Sequence, residues 1–100
     1  DVLLIDLRDS SERKRDGFIP GSVHVLYADV EAAVRPGGLV YYEAMQGGRH
    51  IMYYCAYGER STLAVQTSRD AGLFNVRHII GGIDAWKKAG GDIDQLMVLG

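Results

Sequence analysis

The residues best suited to chemistry lie in the segment 51–61, which holds Cys55, the only cysteine of the chain. An apolar, β-prone run leads to Cys55, and a short turn separates it from a helical pattern that starts at Ser61. A strand, a loop and a helix N-terminus in this order direct backbone N–H groups and the positive end of a helix dipole at one place. A cysteine held there is favoured as the thiolate, its nucleophilic form. A lone cysteine in an apolar strand is usually a buried apolar residue, but its position at the strand end favours the catalytic interpretation.

The loop that follows Cys55 supplies the candidate binding groups of the site. We expect its backbone N–H groups to converge on the bound atom, and the residues concerned are Ala56, Tyr57, Gly58, Glu59, Arg60 and Ser61. Gly58 allows the loop to turn these groups inward. Tyr57 is a candidate wall of the site, and Glu59 should point outward because a carboxylate would oppose a thiolate.

The spacing between Cys55 and Arg60 distinguishes two kinds of chemistry. A phosphatase loop of the Cys-x5-Arg type encircles a phosphate, whereas four residues separate Cys55 from Arg60, and Ser61 stands where that loop needs its arginine. The smaller ring suits a single sulfur atom carried on the cysteine as a persulfide. Arg60 then binds an anionic substrate, the interpretation we favour, or forms an ion pair on the surface. A phosphatase or an arsenate reductase is the less favoured alternative.

Four motifs, in the correct order along the chain, resemble the rhodanese (sulfurtransferase) family. The loop is similar to the family's Cys-x-x-Gly-x-Arg/Ser/Thr, and residues 2–8 resemble its first core strand with an Asp-x-Arg ending. Residues 17–24 resemble its Gly-His-Ile-Pro-Gly-Ala segment, with Phe18 where histidine is usual, and residues 81–86 match Gly-Gly-x-x-x-Trp. The resemblance implies an α/β, rhodanese-like fold with a small, mostly parallel sheet and helices on both faces.

The resemblance also implies a sulfurtransferase of the thiosulfate:cyanide type that needs no cofactor and no metal. The Cys55 thiolate would take the outer sulfur of thiosulfate or a persulfide donor, and the loop N–H groups would stabilise the resulting persulfide. A thiol, cyanide or a protein sulfur acceptor would then remove the sulfur in a ping-pong cycle. Asp6 and Arg8 are expected to be the family's structural pair that braces the loop, and Trp86 to pack in the core or at its rim. A non-catalytic or sulfur-carrier module of a larger protein is the second interpretation.

Composition argues against several other classes of protein. Hydrophobic residues make up 47% of the 100-residue chain and charged residues 24%, which is typical of one globular domain. The formal net charge of −2 argues against a nucleic-acid or anionic-membrane partner, and no apolar run approaches the ~20 residues of a membrane span. The chain opens directly into a strand, so we expect residues 1–100 to form a single rhodanese domain that lacks the family's N-terminal lead-in segment.

The cysteine and histidine content bears on the compartment and on metal binding. A single cysteine cannot form an internal disulfide, so nothing demands an oxidising compartment, and we expect a cytoplasmic protein. The chain has too few cysteines for a cysteine-rich zinc site. His24, His50 and His78 show no metal-ligand spacing and are predicted to have no role in the site.

Strand and helix patterns alternate along the chain, which predicts a parallel sheet with its ligand site beyond the carboxyl ends of the strands. The predicted strands are 2–7, 22–26, 50–54 and 76–80, and the predicted helices are 12–16, 29–34, 39–45, 61–71 and 82–89. The segment 39–45 carries both helix and strand signals, and we favour the helix. Further expectations are an N-cap at Ser10 or Ser11, helix ends at Gly17 and Gly72, and a buried helix face formed by Leu63, Ala64, Thr67 and Ala71. The apolar residues 96–99 should pack on this domain or on a neighbour.

Overall fold

The computed structural model describes residues 1–96, and within them four parallel strands form a sheet in the order β2-β1-β3-β4. The strands are β1 (Val2–Asp6), β2 (Val23–His24), β3 (His50–Tyr54) and β4 (Val76–His78). The helices are α1 (Ser10–Asp16), α2 (Val30–Ala33), α3 (Leu39–Tyr41), α4 (Glu59–Asp70) and α5 (Gly82–Lys88). A 3₁₀ turn (Tyr27–Asp29) precedes α2, and a π-helical turn (Tyr42–Gln46) extends α3, so the segment around residue 42 is helical as predicted.

Helices cover both faces of the sheet, as the sequence predicts. Successive side chains of a strand point to opposite faces, and two apolar clusters result. The larger cluster joins alternate residues of β1 and β3 to α2, α3 and α4, and its members include Ile5, Tyr53, Val30, Val40 and Ala64. The smaller cluster lies on the other face against α5, and its members include Leu4, Tyr54, Ile19 and Ile83.

The central strands bring Cys55 to the carboxyl edge of the sheet. β1 and β3 are paired along their whole length, from Val2 opposite His50 to Asp6 opposite Tyr54. The pairing continues one step further, because the N–H of Leu7 donates to the carbonyl of Tyr54 at 2.9 Å. Cys55 therefore leaves the sheet at the edge where ligands of parallel sheets bind.

The buried face of α4 differs from the predicted one. Leu63 is 54% exposed, whereas the buried residues of the helix are Ser61, Ala64 and Ser68. These three small residues share one face and let α4 lie close to β3, where the hydroxyl of Tyr53 lies 2.8 Å from Ser68 Oγ. The prediction was wrong at Leu63 because it assigned the helix face by hydrophobicity, while close packing against a tyrosine selects small side chains.

The N-cap of α1 is Asp9, so the prediction of Ser10 or Ser11 was wrong. The Asp9 carboxylate accepts the N–H of Glu12 at 2.9 Å, and the Glu12 carboxylate accepts the N–H of Asp9 at 3.1 Å. This reciprocal pair satisfies two free donors of the first turn, and a carboxylate also interacts favourably with the helix dipole. Gly17 follows the last residue of the helix, as predicted.

Several element ends differ from their predicted positions. β2 covers two residues rather than 22–26, because the chain turns into the 3₁₀ segment at Tyr27. β4 stops at His78, two residues early, and α4 starts at Glu59, two residues before Ser61. The C-cap of α4 is Ala71, and Gly72 is the next residue, with a φ of +93°.

The segment after α5 packs back onto the domain. Phe18 and Asp94 form an antiparallel bridge, with N–H to carbonyl distances of 2.9 and 2.8 Å. Ile93 packs against the smaller cluster, and the indole N–H of Trp86 donates to the carbonyl of Asp92 at 2.8 Å. Trp86 itself is partly buried against that cluster, in agreement with the expected rim packing. Of the apolar residues 96–99, Leu96 is 36% exposed, and residues 97–99 lie outside the described part.

The structure of residues 1–96 bears on two of the classes of protein considered above, membrane proteins and metal-binding proteins. None of the helices there combines the length and apolar character needed to cross a bilayer. No group of three or more His, Cys, Asp or Glu side chains in this range is placed to hold a metal ion.

Candidate active site

The Cys55 thiol is enclosed by the loop that joins β3 to α4. Cys55 is 1% exposed and is not in a disulfide. Its Sγ accepts the N–H of Gly58 at 3.2 Å and the N–H of Ser61 at 3.4 Å. The thiol also lies 3.6 Å from the hydroxyl oxygen of Ser61, to which it can donate. The sulfur thus has backbone donors on two sides, an arrangement that favours a negatively charged sulfur.

Gly58 gives the loop its shape and marks the start of α4. Its φ is +111°, a region that residues with a Cβ rarely adopt. A Cβ built there would lie 3.3 Å from the backbone nitrogen of Gly81. This backbone conformation turns the N–H of Gly58 towards the sulfur and starts the helix at Glu59. Ser61 consequently lies in the first turn of α4, where free N–H groups and the helix dipole favour an anion.

The six loop residues do not all contact the sulfur. Within the described part of the chain, the backbone donors to Sγ are the N–H groups of Gly58 and Ser61. Glu59 is exposed, as expected for a carboxylate beside a thiolate. Tyr57 is 65% exposed and, with Ala56, lines a pocket of about 110 Å³ whose other residues are Asp16, Ile83, Asp84 and Lys87. Tyr57 therefore borders a pocket next to the loop, and its role as a wall of the site stays a prediction.

Arg60 is directed at α1 rather than at the sulfur. Its guanidinium donates to both carboxylate oxygens of Glu12, each at 2.8 Å. This hydrogen-bonded pair raises the pKa of Arg60 and lowers the pKa of Glu12. Of the two roles considered for Arg60, the structure shows the ion pair, and the binding of an anionic substrate stays a prediction from the sequence. Glu12 lies 48 positions away along the chain, so the spacing within the loop could not reveal it.

Asp6 and Arg8 form a buried pair behind the loop. Both side chains are fully buried, and the guanidinium of Arg8 donates to the two carboxylate oxygens of Asp6 at 3.0 and 2.8 Å. Arg8 also donates to the carbonyl of Gly17 at 2.7 Å, and the hydroxyl of Tyr54 donates to Asp6 at 3.0 Å. The pair thus connects the end of β1 to the end of α1 and to the residue before Cys55. Burial raises the pKa of the Tyr54 phenol, which keeps it a donor.

His78 contacts the site, although the sequence predicted no role for it. Its Nδ1 lies 2.9 Å from Ser61 Oγ, the hydroxyl that is next to the Cys55 thiol. His78 is the last residue of β4 and stands opposite Tyr53 of β3. Only the register between β3 and β4 places it there, and the sequence carries no direct signal of that register. Of the other histidines, His24 contacts the carbonyl of Arg8 through Nε2, and His50 is exposed.

A buried thiol, a glycine-shaped loop and a helix N-terminus lie together at the carboxyl edge of a parallel sheet, and this arrangement defines an α/β protein with a candidate site centred on a cysteine. The family model for the rhodanese-like domain matches residues 1–89, and the chain belongs to that family. The resemblance noted in the sequence is thereby confirmed.

Two relatives show how the chain compares with longer proteins of this kind. It is 28% identical over 91 residues to the mouse thiosulfate sulfurtransferase/rhodanese-like domain-containing protein 3, covering 86% of this chain and 58% of the relative. It is 32% identical over 89 residues to an uncharacterized protein of Synechocystis, covering 89% of this chain and 45% of the relative. The chain therefore spans about half the length of the curated relatives it matches.

Two solved structures have the same fold. A protein of unknown function from Rhodopseudomonas palustris, named as a possible tyrosine phosphatase, superposes with a TM-score of 0.83 at 41% identity, covering 93% of this chain and 70% of that one. A Rhodanese_3-like domain of an Anabaena protein superposes with a TM-score of 0.73 at 29% identity, and the match covers 94% of this chain and 99% of that one. The two neighbours thus carry names from the two chemistries that the loop spacing distinguishes.

Proposed function

We propose that this domain is a sulfurtransferase that carries a sulfur atom as a persulfide on Cys55. The observation that carries the proposal is the position of Cys55 Sγ, buried at the end of β3 and facing the N–H groups of Gly58 and Ser61. A persulfide has its negative charge on the outer sulfur, one bond beyond Sγ. Donors in the same small ring stabilise that charge as an oxyanion hole stabilises oxygen. Membership of the rhodanese-like family supports the same chemistry.

The proposed reaction has two displacement steps. The Cys55 thiolate attacks the outer sulfur of thiosulfate, the sulfur–sulfur bond of the donor breaks, and sulfite leaves with the bonding electrons. The protein then holds a Cys55 persulfide. An acceptor thiolate or cyanide attacks the outer sulfur, the Cys55 thiolate leaves, and the cycle closes without oxidant or cofactor. The same two displacement steps balance with a persulfide as the donor and a protein thiol as the acceptor. The thiosulfate:cyanide pair is the convenient choice for an assay.

A phosphatase is the second candidate, because the Rhodopseudomonas neighbour is named as a possible tyrosine phosphatase. Two features of this chain support sulfur over phosphate. Four residues separate Cys55 from Arg60, which leaves a smaller ring than a phosphate needs. The guanidinium of Arg60 is held by Glu12, so it does not face the position of a phosphate on the sulfur.

A carrier role within a larger protein differs from an enzyme in turnover rather than in loading. A carrier accepts one sulfur and passes it slowly to small thiols, whereas an enzyme cycles with thiosulfate and cyanide. We favour the enzyme, with a small sulfur donor and a thiol, cyanide or protein acceptor as its partners. We also place it in the cytoplasm, because a catalytic free thiol is kept reduced there.

The test is the intact mass of the protein after exposure to thiosulfate. We expect a gain of one sulfur atom, its loss on addition of cyanide, and no gain in Cys55→Ser. Steady-state turnover with the same pair distinguishes the enzyme from the carrier. Hydrolysis of an aryl phosphate by the wild-type protein, combined with a failure to load sulfur, would contradict the proposal and favour the phosphatase.

A further inference from the structure

A chain of polar atoms connects the buried sulfur to the protein surface. Cys55 Sγ lies 3.6 Å from Ser61 Oγ, and Ser61 Oγ lies 2.9 Å from His78 Nδ1. Cys55 is 1% exposed and Ser61 is fully buried. His78 is half-buried and lines two surface depressions of about 270 and 350 Å³. His78 is therefore placed to exchange protons with solvent on behalf of a thiol that cannot reach it directly.

The hydrogen bonds around Ser61 indicate which way its single proton points. Ser61 Oγ could donate either to His78 Nδ1 at 2.9 Å or to the carbonyl of Gly58 at 3.2 Å. That carbonyl already accepts the hydroxyl of Thr62 at 2.8 Å and its N–H at 3.0 Å. Because a carbonyl oxygen has two lone pairs, both are already occupied, and the Ser61 hydroxyl donates better to His78 Nδ1. A lone pair of Ser61 Oγ then remains free to accept the Cys55 S–H.

We propose that His78, acting through Ser61, is the proton acceptor that converts the Cys55 thiol to the thiolate, an inference that rests on the proposed function for its role in sulfur transfer. The S–H bond breaks and its proton goes to Ser61 Oγ, while the Ser61 hydroxyl proton goes to His78 Nδ1. The products are a thiolate and an imidazolium, so charge and protons balance. The new Ser61 hydroxyl donates to the thiolate beside the two backbone N–H groups. His78 is a positioning residue here, because it does not touch the reacting sulfur.

The relay is built on rigid elements rather than on the loop alone. His78 stands opposite Tyr53 in the sheet, so both side chains leave the sheet on the face that α4 covers. Ser61 is in the first turn of α4, on its buried face. The β3–β4 register and the packing of α4 on β3 together fix the distance from serine to imidazole.

Charged side chains line the two depressions that His78 also lines. Glu59 lines one of the two depressions, and Arg69 and Arg77 line the other. These groups lie at the exposed end of the relay, and Cys55 lies at its buried end.

The test is the rate at which iodoacetamide alkylates Cys55 at neutral pH. An unassisted thiol is only a few per cent thiolate there, so we expect His78→Asn to lower the rate on the order of tenfold. Asparagine keeps an amide near the position of Nδ1 and retains the hydrogen bond to Ser61, but it cannot accept the proton. His50→Asn, at the exposed start of β3, is the matched control, and its Cys55 should be alkylated at the wild-type rate. The ultraviolet absorbance of the thiolate should fall in parallel with the rate.

Rescue by imidazole separates a proton acceptor from a packing role. Free imidazole should restore alkylation in His78→Ala, and it should not do so in the double variant that also carries Ser61→Ala. An unchanged rate in His78→Asn, or no rescue of His78→Ala, would overturn the relay. If the histidine variants do not fold, Ser61→Ala tests the relay by itself. This variant keeps the backbone N–H of residue 61 and should show the same loss of alkylation rate at Cys55.

The alkylation assay is independent of sulfur transfer. Suppose that Cys55 of the wild-type protein is alkylated fast, that His78→Asn lowers this rate, and that the wild type still gains no sulfur from thiosulfate. This result would contradict the proposed function alone. If the wild type loads sulfur while Cys55 in His78→Asn is alkylated at the wild-type rate, the result would contradict the relay alone.

Discussion

At the scale of single residues, the contact between Arg60 and Glu12 ties the active loop to the first helix. Both guanidinium–carboxylate bonds measure 2.8 Å, the fork geometry that is strongest for this pair. Glu12 also accepts the N–H of Asp9, so one carboxylate serves the cap of α1 and the orientation of Arg60. The side chains are 32% and 16% exposed, and solvent screening limits what the pair contributes to stability.

We expect a double-mutant cycle of Arg60→Ala and Glu12→Ala to give a coupling of about 0.5–1 kcal/mol at neutral pH. The pair lowers the pKa of Glu12 below its ordinary value of 4.5. A carboxyl group whose folded pKa is depressed contributes stability that is fully present above the unfolded value and is lost as pH falls through the folded value. The coupling, measured by urea unfolding, should therefore persist at pH above 4.5 and vanish in stronger acid.

The same two variants test the role first favoured for Arg60. Because the guanidinium is held by Glu12, Arg60→Ala should change the KM for thiosulfate little, and Glu12→Ala should free the arginine to bind the anion. A large rise in KM for Arg60→Ala with no coupling to Glu12 would show that the arginine binds substrate after all.

At the scale of elements, the β3–α4 loop depends on one glycine conformation. Gly58 and Gly72 both have positive φ, at +111° and +93°, one before α4 and one after it. A Cβ on Gly72 would meet nothing within 4 Å, whereas a Cβ on Gly58 would crowd the nitrogen of Gly81. The two positions therefore share the same backbone strain, but only Gly58 contacts the sulfur.

Alanine at these two glycines should separate stability from reactivity. Each substitution should lower the free energy of unfolding by about 1–2 kcal/mol, the cost of a left-handed conformation for a residue with a Cβ. Gly58→Ala should in addition slow sulfur loading of Cys55 by about tenfold or more, because the new Cβ crowds the nitrogen of Gly81 and the loop must shift its N–H away from Sγ. Gly72→Ala is the control, and equal loading rates in both variants would show that the N–H of Gly58 is not needed.

The elements also show which parts of the structure the sequence could predict. Continuous apolar runs and glycine positions were enough for β1, β3, the loop at Cys55 and the order of strands and helices, because these signals are local. The N-cap at Asp9 was missed although its partner Glu12 is only three residues away, because neighbouring Ser10 and Ser11 are also good N-cap residues. The exposed Leu63 and the partner of Arg60 were missed, since each depends on a neighbour far along the chain. His78 was missed for the same reason: its place beside Ser61 follows from strand register, and a single histidine gives no periodic signal.

At the scale of the whole molecule, the segment after α5 closes the smaller cluster. The bridge between Phe18 and Asp94 and the packing of Ile93 lie on the face of the sheet away from α4. The match to the family model ends at residue 89, so this segment lies beyond the matched residues.

We expect a chain that ends at Gly91 to be less stable than one that ends at Leu96, by about 2 kcal/mol. This estimate covers a partly buried isoleucine and two backbone hydrogen bonds. Urea unfolding measures the difference, and both chains should load sulfur on Cys55 equally well because the segment lies on the opposite face. A shorter chain of unchanged stability would show that the bridge contributes nothing.

The pairing of β1 with β3 has a consequence for how the chain folds as it is made. The residues that stand opposite each other in that pair are 48 positions apart along the chain, from Val2 with His50 to Asp6 with Tyr54. At the usual pace of synthesis, roughly 2–10 s pass between the appearance of the two strands. During this interval β1 is an apolar strand without its central neighbour, and such strands aggregate readily. Nascent chains halted before residue 50 should therefore bind chaperones that recognise exposed apolar segments, and chains halted after α4 should bind them less.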